Sequence, residues 1–233
     1  IVFLLEKLRR KVVRNYKIPT LTIAGSDSSG GAGIQADLKT FSAIGTYGMS
    51  VITAITAQNT EGVFDVEELS SKIIKEQIKA VCEDIMPNSI KIGMVSSPEI
   101  ILDIAESLKK YPCKYIVVDP VMISKSGYSL LRPEAKENLI KYLIPMAYIV
   151  TPNIPEAEEI SNMKIETVED MKKAGKEILK LGPKYVLMKG GHLEGDAVDI
   201  LIGEDTFEIY KSERIDRKNT HGTGCTISSA KIG

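Results

Sequence analysis

The chain has 233 residues, of which 43% are hydrophobic, and it carries 30 Lys and Arg against 31 Asp and Glu. This length predicts one large domain with a substantial core, and the formal net charge of -1 gives no reason to expect a nucleic-acid partner, so small-molecule partners are expected. Three cysteines and two histidines without metal-type spacing predict neither a disulfide framework nor a zinc site, and no apolar run reaches the roughly 18 residues of a membrane-spanning helix, so a cytoplasmic location is expected.

The first 17 residues differ from the rest, because they contain six Lys or Arg and one Glu. Their apolar residues have helical spacing, which is compatible with a helix on a membrane surface or against a partner. An extension without a catalytic role is favoured instead. The predicted organisation is a basic extension at 1–17 and one domain at 18–233, which we expect to be truncated at its C-terminus because the last predicted helix starts only a few residues before the end.

Short apolar runs alternate with segments of helical pattern along most of the chain. Strands are predicted at 21–24, 51–57, 90–92, 115–118, 147–150 and 185–188, and helices at 34–44, 70–85, 98–110, 133–143 and 168–181. This alternation predicts an α/β fold with a mostly parallel central sheet and helices on both faces. Two later runs, 197–202 and 206–210, flank a turn sequence and predict an antiparallel edge.

Polar or small residues follow each predicted strand, at the edge of the sheet where ligands of open α/β sheets bind. Any one of them could be an ordinary cap or turn residue, but their joint placement favours a site. The set comprises Gly25, Gln58, Met94, Asp119, Asn153 and Lys189.

A glycine-rich loop at 30–33 follows the first strand and opens a helix. It satisfies the loose dinucleotide fingerprint, but Gln58 stands where that fingerprint requires an acid, so a nicotinamide enzyme is disfavoured. The loop also lacks the Gly-Lys-Ser/Thr ending of a P-loop, which argues against P-loop phosphate binding. Asp37, four residues into this helix, is expected near the mouth of the site. Gln58 offers a donor and an acceptor on one amide, which suits an amino-substituted heteroaromatic ring.

Two acids and a lysine near the predicted strand ends favour a magnesium and phosphate site. Asp119 and Glu156 are candidates to hold Mg²⁺, partly through waters, since this ion uses few protein carboxylates. Lys189 could place its charge beside phosphate groups. The alternative is that all three are solvated surface charges.

The run 219–226 brackets a threonine with two glycines just before a helix start. Backbone N–H groups at Gly222, Thr223 and Gly224, with the positive end of a helix dipole, predict a cradle for an anion. Cys225 stands beside it, where the helix dipole favours a thiolate and a general base could meet a substrate hydroxyl. A plain glycine turn with a buried cysteine is the alternative.

The series of motifs resembles one family in order. It includes the segment from Ala24 to Asp37, then Ala57-Gln58-Asn59-Thr60, Lys91-Ile92-Gly93-Met94, Lys125-Ser126-Gly127, Thr151-Pro152-Asn153, Met188-Lys189-Gly190-Gly191-His192 and the run at 219–226. From about Pro19 onward the sequence resembles the hydroxymethylpyrimidine/phosphomethylpyrimidine kinases, which belong to the ribokinase-like superfamily. The resemblance implies a three-layer α/β/α fold.

The resemblance also implies an enzyme of thiamine biosynthesis that uses ATP and Mg²⁺ to phosphorylate 4-amino-5-hydroxymethyl-2-methylpyrimidine and then its monophosphate. Residues implied to surround the pyrimidine are Gly25, Asp37, Gln58, Met94 and Val121. Residues implied to face the nucleotide phosphates and magnesium are Asp119, Asn153, Glu156 and Lys189, while Thr220 and the backbone from Gly222 to Cys225 would form the anion hole, with Cys225 as base.

Other expectations remain open at this point. The resemblance implies a homodimer and a flap at 122–131 over the site. Pyridoxal kinase is the nearest alternative, because both substrates carry a hydroxymethyl group on a heteroaromatic ring. A catalytically impaired pyrimidine-binding protein is the second alternative, because the family continues beyond Gly233 with helices that help to cover adenine.

Overall fold

A computed structural model describes residues 18–123, 127, 130–191, 197–212 and 221–231 of the chain. Within these ranges, none of the helices combines the length and the apolar character that crossing a membrane would require.

The centre of the protein is an eight-stranded sheet. Its strands are β1 (Pro19–Ala24), β2 (Tyr47–Ile52), β5 (Ser89–Ile92), β6 (Tyr115–Val118), β7 (Ile149–Val150), β8 (Tyr185–Lys189), β9 (Ala197–Gly203) and β10 (Phe207–Ser212). They lie in the order β10-β9-β8-β7-β6-β5-β1-β2. The pairs from β2 to β8 are parallel, while β8 with β9 and β9 with β10 are antiparallel, which confirms the predicted antiparallel edge.

The predicted strand at 51–57 is wrong, because the structure divides it between two sheets. Residues up to Ile52 belong to β2 of the main sheet, whereas Ala54–Gln58 forms β3. Strand β3 pairs antiparallel with β4 (Val63–Glu68) in a separate two-stranded ribbon. The chain changes direction at Thr53, whose hydroxyl donates to the Met94 carbonyl, so one apolar run serves two sheets.

Helices connect the parallel strands. They are α1 (Gly33–Ala43), α2 (Ser71–Asp84), α3 (Pro98–Lys110), α4 (Ala135–Asn138), α5 (Ile154–Ser161), α6 (Val168–Leu179) and α7 (Thr223–Ala230), and α4 continues into a π-helical turn at Leu139–Leu143 and a 3-10 turn at Ile144–Met146. The hydroxyls of Ser70 and Ser97 cap α2 and α3. Helix α5 was not predicted, although its capping box at Asn153 and Glu156 is a recognisable start signal.

Two hydrophobic clusters lie on opposite faces of the sheet and produce the three layers. Ile116 and Val118 of β6 point into the larger cluster, with apolar residues of α2, α3, α5 and α6. The intervening Val117 points into the smaller cluster, where Phe41 of α1 and Ile227 of α7 pack. The alternation follows from the two-residue period of a strand, and it leaves α1 and α7 together on one face.

Candidate active site

The carboxyl ends of the parallel strands bring several predicted site residues to one edge of the sheet. Asp119 directly follows β6, and Lys189 is the last residue of β8. Asn153 forms a β-bridge with Lys189, which holds the start of α5 beside the end of β8. Residues distant in sequence therefore meet here because parallel strands end at the same edge.

A lysine and an aspartate form a buried ion pair at this edge. The Lys189 ammonium lies 2.9 Å from Asp119 Oδ1, with side chains 13% and 2% exposed. Thr151 also donates to Oδ1, at 3.1 Å, and the Ser228 hydroxyl lies 3.2 Å from Oδ2. Burial lowers the pKa of Lys189, but the charges of Asp119 and Glu156 outweigh burial and raise it overall. Lys189 is therefore held in its charged form.

Glu156 adds a second acid beside this pair. Its carboxylate accepts the Asn153 N–H at 2.8 Å, and the Asn153 side chain accepts the Glu156 N–H at 2.9 Å. Burial raises the pKa of Glu156 to about 7, opposed by Lys189 and reinforced by Asp119. Two acids thus share one lysine, and the excess negative charge suits a cation.

The donor set fits magnesium. Within the described part of the chain, no group of three or more His, Cys, Asp or Glu side chains is arranged to hold a metal. Mg²⁺ commonly uses only one or two protein carboxylates and completes its shell with waters and phosphates. Asp119 and Glu156 could supply that pair.

The residues predicted to form an anion cradle lie at the start of α7. Gly222 precedes the helix with φ of 77°, a conformation that favours glycine, and its carbonyl accepts the first helical bond from Thr226. The first N–H groups of an α-helix do not bond to carbonyls of the same helix, so this turn can donate to an anion. A side chain added at Gly224 would meet the Lys189 ammonium at 3.5 Å, which places a positive charge against the same turn.

Two glycine loops interlock beside this turn. A side chain at Gly222 would lie 1.7 Å from the Gly31 carbonyl oxygen, and one at Gly31 would lie 2.4 Å from the His221 ring. The loop at 30–33 and the start of α7 therefore touch through backbone atoms. Glycine is required at Gly222 by this close approach to the backbone, whereas a side chain at Gly31 would displace the His221 ring.

Asp27 organises the contact between the loops. Its carboxylate accepts N–H groups of Ser29, Gly31 and Ala32 at 2.7 to 3.0 Å, and His221 Nε2 lies 2.8 Å away. Burial raises the pKa of Asp27, but the bonds from His221 and Ser29 outweigh burial and lower it overall. The carboxylate is thereby held charged between the two loops.

The expectation that the helix dipole favours a Cys225 thiolate is wrong in direction. Burial raises the pKa of the thiol above its usual value, while the Lys91 ammonium and the Gly33 N–H oppose that rise. Asp37 and Asp119 add negative charge nearby and raise the pKa further. The protonated thiol is therefore the main form at neutral pH.

The expected position of Asp37 at the mouth of the site is also wrong. Asp37 is fully buried and pairs with Lys91, whose ammonium lies 2.9 Å and 3.1 Å from the two carboxylate oxygens. The hydroxyls of Thr22 and Ser229 donate to the same carboxylate, each at 2.6 Å. Helices α1 and α7 cover the carboxylate, which therefore lies behind the surface of the site.

The residues expected around a heteroaromatic ring lie on the side of β1 and the ribbon. A side chain at Gly25 would meet the Met94 sulfur at 2.9 Å, so these two positions are in contact. Gln58 ends β3, and its backbone is tied to the Ser28 hydroxyl by bonds of 2.8 Å and 2.9 Å. Val121 lies near Asp119, to whose carbonyl it donates its N–H at 2.8 Å.

Comparison with known proteins identifies the family. The model of the phosphomethylpyrimidine kinase family matches residues 27–232. The hydroxymethylpyrimidine/phosphomethylpyrimidine kinase of Bacillus subtilis is 47% identical over 212 residues, covering 90% of this chain and 78% of that protein. The crystal structure of a phosphomethylpyrimidine kinase from Clostridium difficile is 70% identical with a TM-score of 0.81, covering 93% of this chain and 98% of that one. The chain belongs to the phosphomethylpyrimidine kinase family.

Pyridoxal kinases are also similar in structure to this member of the phosphomethylpyrimidine kinase family. The ADP complex of a pyridoxal kinase from Bacillus subtilis is 41% identical with a TM-score of 0.85, covering 92% of this chain and 82% of that one. The predicted family and the predicted ribokinase-like fold are both confirmed by these comparisons.

Several residues of this phosphomethylpyrimidine kinase family site were missed by sequence reasoning. Lys91 was recognisable, because a lysine between Ile90 and Ile92 in an apolar strand needs a buried partner. His221 gave no comparable signal, since its partner Asp27 lies 194 positions away. Thr220, the segment 1–17 and residues 124–126 and 128–129 of the expected flap lie outside the described residues.

Proposed function

We propose that the protein is a kinase that transfers the γ-phosphoryl group of ATP to 4-amino-5-hydroxymethyl-2-methylpyrimidine and then to its monophosphate. The observation that carries this proposal is the Lys189 ammonium, which lies against Gly224 in the first turn of α7 and pairs with Asp119. A fixed cation beside a helix N-terminus suits the charge that develops on a transferring phosphoryl group. Membership of the phosphomethylpyrimidine kinase family supports the substrate.

The acids at the edge of the sheet would hold the metal. Asp119 and Glu156 would bind Mg²⁺, which supplies positive charge to the phosphates when it is bound. Asn153 fixes the Glu156 carboxylate through the capping box and faces the same edge. Lys189 would bind the phosphates directly, with Thr220 as a further proposed nucleotide contact.

The pyrimidine would bind on the neighbouring side of the edge. Gly25 lets the Met94 side chain pack directly on the backbone, since a side chain at Gly25 would strike the methionine sulfur, and the ring would bind beside these two residues. Gln58 would pair with the ring nitrogen and the amino group, and Val121 would add an apolar contact. Asp37 would support the residues around the pyrimidine without binding it directly, because its carboxylate is fully buried and bonded within the protein.

The thiolate form of Cys225 would take the proton of the substrate hydroxyl. Phosphoryl transfer has a loose transition state, so positioning of the reacting groups supplies most of the rate enhancement. A weak base is therefore sufficient to accept the proton of the hydroxyl. Because burial raises the pKa of the thiol, we expect kcat to rise with pH through the neutral range. Replacing Cys225 by Ala should lower kcat by about 10² to 10⁴-fold and remove that rise.

An ADP-release assay tests this function with hydroxymethylpyrimidine, its monophosphate, pyridoxal and ribose as acceptors. We expect turnover with the two pyrimidines, and a strong loss in Cys225→Ala with each of them. Preference for pyridoxal or ribose would contradict the proposed substrate. Thermal stabilisation by the pyrimidine without ADP release would instead support a binding protein without kinase activity.

A homodimer is proposed as the assembly. The ribbon of β3 and β4 is separate from the main sheet, and on it Ile55 is 45% exposed and Phe64 is 67% exposed. Exposed large apolar side chains on one ribbon favour contact with another copy of the chain. Light scattering should give twice the chain mass for the wild type and a smaller mass for Phe64→Asp; a wild-type monomer would contradict the proposal.

A further inference from the structure

Helix α7 carries the cradle and Cys225, and buried hydroxyl groups contribute to holding it in place. Its Ile227 packs in the smaller hydrophobic cluster, but its fully buried side chains are two serines, Ser228 and Ser229. A helix of eight residues has little stability of its own, so its position depends on tertiary contacts. Here those contacts combine apolar packing with directional hydrogen bonds from hydroxyls.

Helix α7 meets α1 and the loop before it at two places. The Ser229 hydroxyl donates to Asp37 Oδ1 of α1 at 2.6 Å, and a side chain added at Gly222 would lie 1.7 Å from the Gly31 carbonyl oxygen. Cys225 and Ser229 are four residues apart on α7. Residues at this spacing lie on the same helix face, so the bond at Ser229 bears on the position of Cys225.

The acceptor of the Ser229 bond, the Asp37 carboxylate, is held rigidly. Asp37 is held by Lys91 of β5 and Thr22 of β1 as well as by Ser229. All four side chains are buried. A carboxylate tied to two strands cannot follow a helix that shifts, so it defines where the face of α7 lies.

We propose that Ser229 is a positioning residue, whose hydrogen bond to Asp37 fixes the register of α7 on α1 and thereby places the Cys225 sulfur and the first turn of the cradle. The catalytic part of this inference rests on the proposed kinase function. Ser229 itself touches neither substrate nor phosphate. It acts through the helix, one turn beyond the thiol.

The matched pair of variants is Ser229→Ala and Thr22→Val. Each removes one hydroxyl that donates to the Asp37 carboxylate at 2.6 Å, but only Ser229 lies on α7. Loss of stability should therefore be similar in both. Movement of Cys225 should occur only in Ser229→Ala.

Two measurements separate the roles. For Ser229→Ala we expect kcat for ADP release to fall about tenfold to a hundredfold with much smaller changes in KM, because small misplacements of reacting groups are costly. We also expect faster alkylation of Cys225 by iodoacetamide, followed by mass spectrometry of its peptide, because loosening the helix relieves the burial that raises the thiol pKa. Thr22→Val should change neither quantity by more than about threefold.

Equal losses of kcat in the two variants, or Cys225 alkylation in Ser229→Ala at the wild-type rate, would overturn the positioning role. If the wild-type chain shows no turnover with any acceptor, the proposed function fails. The alkylation rates would still decide the inference, because they do not depend on turnover.

Discussion

Two buried lysine–aspartate pairs lie under the same helix, and they differ in how completely their charges are balanced. Lys91 and Asp37 are 1% and 0% exposed, and Thr22 and Ser229 complete the bonds to the carboxylate. Lys189 is 13% exposed, and Glu156 stands beside its pair with Asp119. In the first pair, called the closed pair below, one lysine is matched by one aspartate. In the second pair, called the open pair, one lysine faces two acids.

The difference separates a structural pair from a binding site. A closed pair has no capacity left for a ligand, and breaking it leaves a buried charge uncompensated. An open pair retains negative charge for a cation on one side and an ammonium for an anion on the other. Magnesium and phosphate are the ligands that satisfy both.

The largest expected effect is the loss of stability in Lys91→Met. The variant leaves Asp37 buried without its cation, so the free energy of unfolding should fall by about 3 to 5 kcal/mol, measured by urea denaturation. The double variant Lys91→Met with Asp37→Asn should recover part of that loss. Wild-type unfolding behaviour in the single variant would contradict a closed, structural pair.

The open pair should respond in activity more than in stability. Lys189→Met removes the ammonium beside Gly224, so we expect kcat/KM for ATP to fall by about 10² to 10³-fold. Its loss of stability should be smaller than that of Lys91→Met, because Lys189 is 13% exposed whereas Lys91 is only 1% exposed. Lys184→Met, at an exposed lysine just before β8, is the control and should retain wild-type activity. A stability loss matching Lys91→Met without loss of activity would reverse the assignment.

The sequence indicated the open pair but not the closed one. Asp119 and Lys189 end apolar strands, and the rule that ligands bind at strand ends locates them without coordinates. Ser229 and Asp37 are 192 positions apart and meet only because α1 and α7 pack on one face of the sheet. Periodicity carries no information about such a contact.

In the fold, too, features set by local sequence were predictable and features set by distant contacts were not. The alternation of strands and helices predicted the parallel sheet, since each element has its own period. The division of the run at 51–57 between β2 and the ribbon could not be predicted, because both parts have strand composition. The change of direction at Thr53 depends on the distant Met94 carbonyl.

The extra acid of the open pair predicts a pH dependence of stability. The folded pKa of Glu156 is raised from 4.5 to about 7, so the folded state binds more protons than the unfolded state in that range. The free energy of unfolding should therefore fall as pH rises from about 4.5 to 7, by about 1.4 kcal/mol per unit of raised pKa. Urea denaturation of wild type and Glu156→Gln should show a shallower fall in the variant.

Magnesium binding tests whether Glu156 of the open pair is a metal ligand. At pH 8 the ionised Glu156 and Asp119 should bind the added ion, so MgADP should raise the melting temperature of the wild type more than that of Glu156→Gln. Equal shifts in the two proteins would exclude Glu156 from the metal site.

The smallest effect is expected at another buried carboxylate, that of Asp27. His221→Ala removes one partner, but the N–H groups of Ser29, Gly31 and Ala32 still donate to Asp27. The free energy of unfolding should therefore fall by only about 1 kcal/mol in urea denaturation. In the described part of the chain, the donors to the Asp37 carboxylate are instead the side chains of Thr22, Lys91 and Ser229. A loss as large as that of Lys91→Met would show that the cost of breaking a buried pair does not depend on the donors that remain.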